Sequence, residues 1–241
     1  MKQAVHEESS VAKYPVGLRY PLGDDWVFHY CRAKVALPLN KRGAGNDDVL
    51  HEQNTAVVAS AGDISLTIVG SFTADQFKNG IINIWTDPVQ ILLRVKGNDV
   101  GDGVNTVIHL KDPLLEDVAL ATFTDIHANI YNNCSNLAGQ AVAGEMQIVC
   151  VPLIAITLGY YFWGLTYGPC VGIAHTGAGL GAASNEKTVY FWPDGSIDSI
   201  ANIITDGGTA GQQIAGTMLA RLANPAGTPA DDIYYMLKLA P

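Results

Sequence analysis

Residues that could carry out chemistry are few in this chain, and none of them falls in a recognised pattern. The six histidines form no H-x-H or H-x-x-x-H pair, and the chain has neither an H-E-x-x-H helix nor a G-x-S-x-G elbow. Asp231 and Asp232 are adjacent, but such a pair is typical of a solvated turn. A site assembled from residues distant in the sequence would show no spacing motif of this kind. We therefore predict no catalytic residue and expect a protein that is not an enzyme.

The cysteines and one glycine-rich stretch are the remaining candidates for a metal or cofactor site. Four cysteines lie far apart without a C-x-x-C pair, which argues against zinc or a redox dithiol: Cys31, Cys134, Cys150 and Cys170. Because the N-terminus has no apolar signal segment, we expect reduced and mostly buried thiols. The stretch "GAGLGAA", residues 177–183, is only superficially like a phosphate-binding loop, since a strand rather than a helix is expected after it. No metal and no cofactor are predicted.

The stretch "LGYYFWGLTYGPC", residues 158–170, contains four consecutive aromatic residues. On a strand, Tyr160 and Phe162 would face one side, and Tyr161 and Trp163 the other. We expect both sides to be covered, one by the domain core and one by a neighbouring subunit. The alternative is that Tyr161 and Trp163 form an exposed platform on which a glycan stacks.

Composition limits the classes of partner. Charged residues make up 15% of the chain, against roughly 25% in a typical soluble domain, so little charge is available for a free surface. This favours an oligomer or a larger particle. The net charge of −9 repels polyphosphate, and no nucleic-acid partner is expected.

One uncharged segment, residues 148–165, approaches the length of a membrane span. Pro152 and Gly159 interrupt it, and no Lys or Arg flanks it. Two buried strands that meet near residues 157–159 explain the segment better. No membrane partner is expected.

Short runs rich in Val, Ile and Thr, separated by turn residues, predict a mainly β fold. Examples are "DISLTIVG", "GIINIWT" and "NTVIHL". We assign an extended N-terminal arm to residues 1–24, a β-sandwich or barrel to 25–140, and a smaller β-barrel-like domain to 141–241. The stretch "QQIAGTMLARL" also has a helical period, but Gly216 and the preceding Thr/Gly-rich residues favour a strand that forms a closing hairpin with "IYYMLKL".

Apolar residues in the arm alternate with other residues, which is typical of an extended strand. These residues are the arm's interface candidates: Tyr14, Val16, Leu18, Tyr20 and Leu22. We predict that they lie across the sheet of a neighbouring subunit. The alternative is an arm folded back on its own domain.

Several segments resemble the β-rich head proteins of tailed bacteriophages. "WVFHYCRAKVAL" is similar to their F-x-Y-x-[KR]-A segment, and "NTVIHLKDPLLEDV" to a strand that ends in an L-x-D-P-L element. "VPLIAITLGYYFWGLTYGPCVGIAHTG" resembles their P-x-x-x-[VI]-T-x-G-Y-Y-x-W-x-x-x-x-G-P block, and "DIYYMLKL" resembles the closing strand. The resemblance spans roughly residues 25–239.

The resemblance implies a capsid decoration or cement protein, made in the host cytoplasm and bound to the outer surface of the virion head. Its implied partners are the major capsid protein and itself, as a homotrimer on three-fold axes. The alternative is a carbohydrate-binding adhesion or tail-associated module. That protein would expose Tyr161, Trp163 or Trp192 to a sugar.

Overall fold

Short β-strands dominate the part of the chain that the computed structural model describes. The described residues are 2–46, 51–86, 89–136, 147–175, 187–200, 213–219 and 232–240. Their strands are β1 Arg19–Leu22, β2 Trp26–Arg32, β3 Ala44–Asn46, β4 His51–Thr55, β5 Ser65–Val69, β6 Ile81–Thr86, β7 Val89–Asn98, β8 Asn105–Leu110, β9 Phe123–His127, β10 Cys134–Asn136, β11 Ile148–Pro152, β12 Tyr161–Ile173, β13 Thr188–Phe191, β14 Ile197–Asp198, β15 Ile214–Met218 and β16 Asp232–Lys238. The predicted mainly β fold is confirmed.

The chain forms two compact units, and one of them is the continuous segment Asp48–Ile130. Its six-stranded sheet has the order β4-β9-β6-β7-β8-β5. The sheet curls so that its two outermost strands approach each other: Ala56, just after β4, forms a bridge with Ile68 of β5. Along β6 the side chains of Ile82 and Ile84 are buried and alternate with outward ones, as a curled sheet with one inner face requires.

The other unit contains Met1–Asp47 and Tyr131–Pro241 and is built on a ten-stranded sheet. Its centre is the long strand β12, which pairs with β2 and β11 through its first half and with β16 through its second. From β16 the order continues through β15 and β13 to β14, and from β11 it continues through β3 to β10. Each pairing between the named strands is antiparallel, and two isolated bridges, Ala33 with Cys134 and Ala174 with Ile197, are parallel.

These units divide the chain differently from the predicted domains 25–140 and 141–241. Strand β2 pairs with β12 along six registered positions, so residues 25–47 belong with the C-terminal half of the chain. Residues 48–130 are an insertion between the two parts. A pairing between strands so far apart in sequence leaves no local pattern, and composition alone therefore puts a boundary near residue 140.

Two local predictions about the C-terminal half are confirmed. The uncharged segment 148–165 contains β11 and the start of β12, which pair antiparallel through Val151 and Leu165. The segment "IAGTM" is the strand β15, and it pairs antiparallel with β16 as the closing hairpin requires.

Candidate functional site

The aromatic run lies on β12, and its two largest central side chains enter different cores. Phe162 packs in a cluster with Cys31 and Cys150, and Trp163 packs in a cluster with Tyr30. Their exposed fractions are 1% and 2%. The expectation that both faces of this strand are covered is confirmed. The covering residues come from the same unit of the same chain, so a neighbouring subunit is not needed to bury Trp163.

Tyrosine rings enclose Trp163. Its ring centroid lies 5.2 Å from that of Tyr14, 5.3 Å from that of Tyr20 and 4.9 Å from that of Tyr30. Its Nε1 donates a hydrogen bond to the backbone oxygen of Gln3 at 3.1 Å. The ring is thus packed against other aromatic rings, and its single donor, the Nε1–H group, is hydrogen-bonded, as is usual for a buried tryptophan. Trp163 is therefore a core residue.

The rings expected of a glycan platform are largely covered. Trp192 is buried and stacks on His175 at a centroid distance of 4.2 Å. Tyr161 is only partly buried, but Tyr30 stacks parallel to it and the Arg32 guanidinium lies 5.9 Å from its centroid. Of the three rings Tyr161, Trp163 and Trp192, only that of Tyr161 keeps some exposure.

The N-terminal arm lies on its own unit, which is the alternative that the sequence left open. Strand β1 pairs with β2 from Arg19 opposite His29 to Leu22 opposite Trp26. Further towards the N-terminus, Ser9 pairs with Tyr161. We predicted that residues 14–22 add to the sheet of a neighbouring chain. Instead, β1 pairs with the edge of β2, which follows it directly in the same chain.

A buried glutamine fixes the start of the arm. Gln3 accepts a hydrogen bond from the Tyr30 hydroxyl at 2.6 Å, and its Nε2 donates to the backbone oxygens of Glu7 and Tyr161. Sequence reasoning missed this residue, because a single polar side chain in an otherwise polar arm gives no sign that it is buried.

The arm's interface candidates have different environments. Tyr14 and Tyr20 pack against the core around Trp163, and Val16 packs against the core around Phe162. Leu18 and Leu22 are exposed. Leu18 and Leu22 are therefore the two of the five arm residues with the most surface available to a partner, while the other three are partly buried.

A buried histidine, His29, lies on β2 opposite Arg19 of the arm. His29 stacks on the Tyr131 ring at a centroid distance of 4.5 Å, and its Nδ1 lies 2.9 Å from Thr166 Oγ1. Burial, with a smaller contribution from the nearby Arg19 charge, lowers the pKa of His29 from 6.5 to about 4. The imidazole is therefore neutral at physiological pH and serves as a packed, hydrogen-bonded core group.

Ser196, His175 and Asp194 are the residue types of a hydrolase triad, but their geometry is different. Ser196 Oγ lies 3.3 Å from His175 Nδ1, and Asp194 Oδ2 lies 3.7 Å from the same nitrogen. The serine also donates directly to Asp194. In a triad the two imidazole nitrogens separate the hydroxyl from the carboxylate. Here a single nitrogen faces both groups, and Ser196 is fully buried.

Asp194 instead holds a turn in place. Burial alone would raise the pKa of its carboxyl, but hydrogen bonds from Ser196 and the ion pair with Arg42 outweigh burial and lower it. The neighbouring Gly195 accepts a hydrogen bond from the Gly43 backbone at 2.7 Å. The carboxylate thus joins the turn after β13 to the segment before β3.

All four cysteines are buried and free, so the expectation of reduced, buried thiols is confirmed. Three of them, Cys31, Cys134 and Cys150, meet in the core around Phe162, which their spacing in the sequence did not suggest. Burial raises the pKa of the Cys31 thiol, and the contact with Cys134 raises that of Cys150. The same S–H contacts lower the pKa of Cys134, because they stabilise its thiolate.

An apolar surface lies on the outer side of the six-stranded sheet. We call it the Trp85 face and define it by Ile81, Trp85, Leu92 and Phe123. Their exposed fractions are 43%, 48%, 65% and 42%. The rings of Trp85 and Phe123 meet edge to face at 6.3 Å.

Strand alternation and register bring these residues together. In β6 the buried Ile82 and Ile84 alternate with the outward Ile81 and Trp85. The pairing of Ile84 with Thr124 in β9 puts Trp85 beside Phe123. The pairing of Asn83 with Leu92 in β7 puts that leucine on the same side. The period-2 pattern in "GIINIW" could have indicated this face, but its pairing partners could not be read from the sequence.

The other unit has an apolar groove of about 350 Å³. Its described lining includes Trp26, Leu39, Val151, Leu153, Pro169 and Tyr234, and Lys41 is the one charged residue among the described ones. The groove offers apolar contacts and few polar groups, which suits packing better than catalysis.

Comparison of the chain with protein families, with curated proteins and with solved structures finds no match in any of the three. Within the described residues, no helix has the length and apolar character needed to cross a membrane. The glycine-rich stretch 177–183 lies outside the described residues.

Proposed function

We propose that this chain is a non-enzymatic structural protein of a phage virion, which binds the outer surface of a tailed-phage head and stabilises it. The partner is the major capsid protein. The observation that carries the proposal is the Trp85 face, a group of exposed apolar side chains on the outer side of a β-sheet, in a chain that has unusually few charges. The resemblance of several segments to phage head proteins gives the class of partner.

The Trp85 face has the composition of a protein-binding surface. Exposed apolar residues are common when they are scattered, but a group that includes a contacting aromatic pair, here Trp85 and Phe123, is typical of an interaction site. Tryptophan is among the residues that contribute most to binding energy at protein interfaces. The same outward side of the sheet also carries polar and charged groups, including Asn83, Arg94, Asp125 and His127.

The energetics suit a repeated contact. Burial of an exposed Val, Leu, Ile or Phe side chain contributes roughly 1.5–3 kcal/mol, so one small face gives a modest affinity. On an icosahedral head the same contact is repeated at every equivalent position. Each copy that bridges two capsid subunits therefore adds to the stability of the shell.

The charge of the chain is consistent with an outer position. A net charge of −9 is unfavourable next to packaged DNA and favourable on a surface turned away from it. A homotrimer on the three-fold axes remains our prediction for the assembly. Leu22 on β1 and Leu18 just before it are the most exposed of the five arm candidates and are available for contacts between copies.

The test is a titration of purified protein onto undecorated heads assembled from the major capsid protein of the same phage. We expect saturable binding and heads that resist heat better. Trp85→Ala and Leu92→Ala should weaken binding by about tenfold or more, since loss of an interface anchor of this kind costs roughly 1–2 kcal/mol or above.

Leu115→Ala is the matched control for Leu92→Ala. Leu115 has a similar exposed fraction, 72% against 65%, but lies outside the Trp85 face. The control should bind as the unchanged protein does, and all three variants should remain folded and melt cooperatively, with Trp85→Ala melting slightly lower because it loses the contact with Phe123. Absence of saturable binding, or equal effects of the two leucine substitutions, contradicts the proposal.

A further inference from the structure

Three cysteines from three separate strands meet in one buried cluster. Cys31 lies on β2, Cys134 on β10 and Cys150 on β11, and their Sγ atoms all lie within 4.8 Å of one another. The Sγ atom of Cys150 lies 3.9 Å from that of Cys31 and 4.0 Å from that of Cys134. None of the three forms a disulfide. We call this group the thiol cluster.

The separations in the thiol cluster are those of sulfurs that share one metal ion. With metal–sulfur bonds of about 2.3 Å, two sulfurs on one ion lie about 3.8 Å apart in a tetrahedral site and about 4.0 Å apart in a trigonal one. Two of the three separations already have these values. A disulfide would instead require about 2.05 Å between two of the sulfurs and would leave the third unused.

A glycine makes room for the cluster on β12. A Cβ at Gly164 would lie 2.5 Å from Cys150 Sγ and 3.1 Å from Cys31 Sγ. No side chain on β12 therefore intrudes between these two thiols. This is a close approach that only glycine allows.

The surroundings favour a soft metal over a hard one. The cluster shares its core with Ala44, Val149, Ile156 and Phe162, which are buried and apolar, and with Tyr131, which interacts electrostatically with all three thiols. Two backbone carbonyl oxygens contact the thiols, that of His29 at 3.3 Å from Cys31 Sγ and that of Tyr131 at 3.7 Å from Cys134 Sγ. Thiolate ligands select Zn²⁺ and Cu⁺, whereas Ca²⁺ and Mg²⁺ require several oxygen ligands.

We propose that Cys31, Cys134 and Cys150 together bind one thiophilic d¹⁰ metal ion, Zn²⁺ or Cu⁺, as a structural site. Binding forms three metal–sulfur bonds and releases the thiol protons to solvent, with no change in oxidation state. Three sulfurs complete the coordination of Cu⁺, whereas Zn²⁺ takes a fourth ligand in addition.

The position of the site gives it a structural effect. Cys31 precedes the inserted unit Asp48–Ile130, and Cys134 and Cys150 follow it. An ion bound by all three therefore joins the two chain segments that the insertion separates. Because the site exists only in the folded chain, bound metal stabilises the folded state.

The experiment uses the full chain without an affinity tag, stripped of metal by a chelator under reducing, anaerobic conditions. Zn²⁺ and Cu⁺ are then offered in separate arms. Metal content is measured after gel filtration, and the melting temperature is recorded. We expect one ion per chain in at least one arm, together with a higher melting temperature, and the arm that gives them identifies the ion.

Cys134→Ser should lose both the ion and the increase in melting temperature. Cys170→Ser is the matched control, because Cys170 is also a buried free thiol but lies outside the thiol cluster. It should keep both. Absence of a bound ion in both arms, or an ion that Cys134→Ser retains, overturns the proposal.

A second measurement on the unchanged protein covers the case in which Cys134→Ser does not fold. In mild denaturant, an alkylating reagent should label Cys170 first in the metal-loaded protein, while the three clustered thiols stay protected. Mass spectrometry of the digested chain reads each thiol separately. Equal labelling of the cluster with and without metal overturns the proposal.

Discussion

A single buried residue, His29, makes the stability of the unit Met1–Asp47 and Tyr131–Pro241 depend on pH. His29 is neutral in the folded core, with a pKa of about 4, whereas an unfolded histidine has a pKa of about 6.5. The unfolded chain therefore takes up a proton at a higher pH than the folded chain does. The stability that neutral His29 supports is fully present above pH 6.5, and it is lost as the pH falls towards 4.

His29→Gln should flatten this dependence, because glutamine does not titrate and can still hydrogen-bond to Thr166. Between pH 7 and pH 5 we expect the unchanged protein to lose about 2 kcal/mol more of its free energy of unfolding than the variant loses. Urea denaturation at pH 7, 6 and 5 measures both. Parallel curves for the two proteins would show that His29 does not carry the dependence.

At the scale of elements, the alternation of apolar residues predicted the strands well. The runs "DISLTIVG", "GIINIWT" and "NTVIHL" contain β5, β6 and β8. The alternation of apolar and polar side chains and the presence of turn residues are local properties, so they can be read from a single sequence. The sequence could also place Phe162 and Trp163 on opposite faces of a covered strand.

Pairing partners and converging side chains could not be predicted in the same way. Cys31 and Cys150 meet because β2 and β11 both pair with β12. The spacing of the cysteines in the sequence does not indicate this. The arm was assigned to a neighbour for the same reason. Its alternating residues indicate a strand but do not specify which edge that strand joins.

The arm stabilises its own unit, and Gln3 is the residue on which that claim is most easily tested. Gln3→Ala removes the acceptor of the Tyr30 hydroxyl and the donor to Tyr161 in a buried place. We expect a loss of about 1–3 kcal/mol in the free energy of unfolding. The measurement is chemical denaturation, combined with hydrogen exchange across residues 2–22.

His6→Ala is the control, since His6 lies in the same arm but is exposed. It should leave stability and exchange unchanged. If Gln3→Ala matches this control, then the arm is only loosely attached, and a role between subunits becomes the better interpretation.

At the scale of the whole molecule, the chain is one unit interrupted by another. The inserted unit Asp48–Ile130 has its own buried core, and its ends are adjacent, because His51 in β4 pairs with His127 in β9. Adjacent ends and a separate core are what an independently folding insertion needs.

The excised segment 48–130 should therefore fold by itself. We expect a β-type circular dichroism spectrum, dispersed amide resonances and a single cooperative thermal transition. A segment that remains unfolded would show that the inserted unit depends on the rest of the chain.

The central claim is that this protein lies on the outside of a phage head and contacts capsid subunits through the Trp85 face. The most direct test is a cryo-electron microscopy reconstruction of heads mixed with the unchanged protein, beside heads mixed with Trp85→Ala. We expect added density on the outer surface, with the Trp85 face turned towards the capsid, and much weaker density for the variant. Density inside the shell or at the tail, no added density, or an outer layer that Trp85→Ala forms equally well would contradict it.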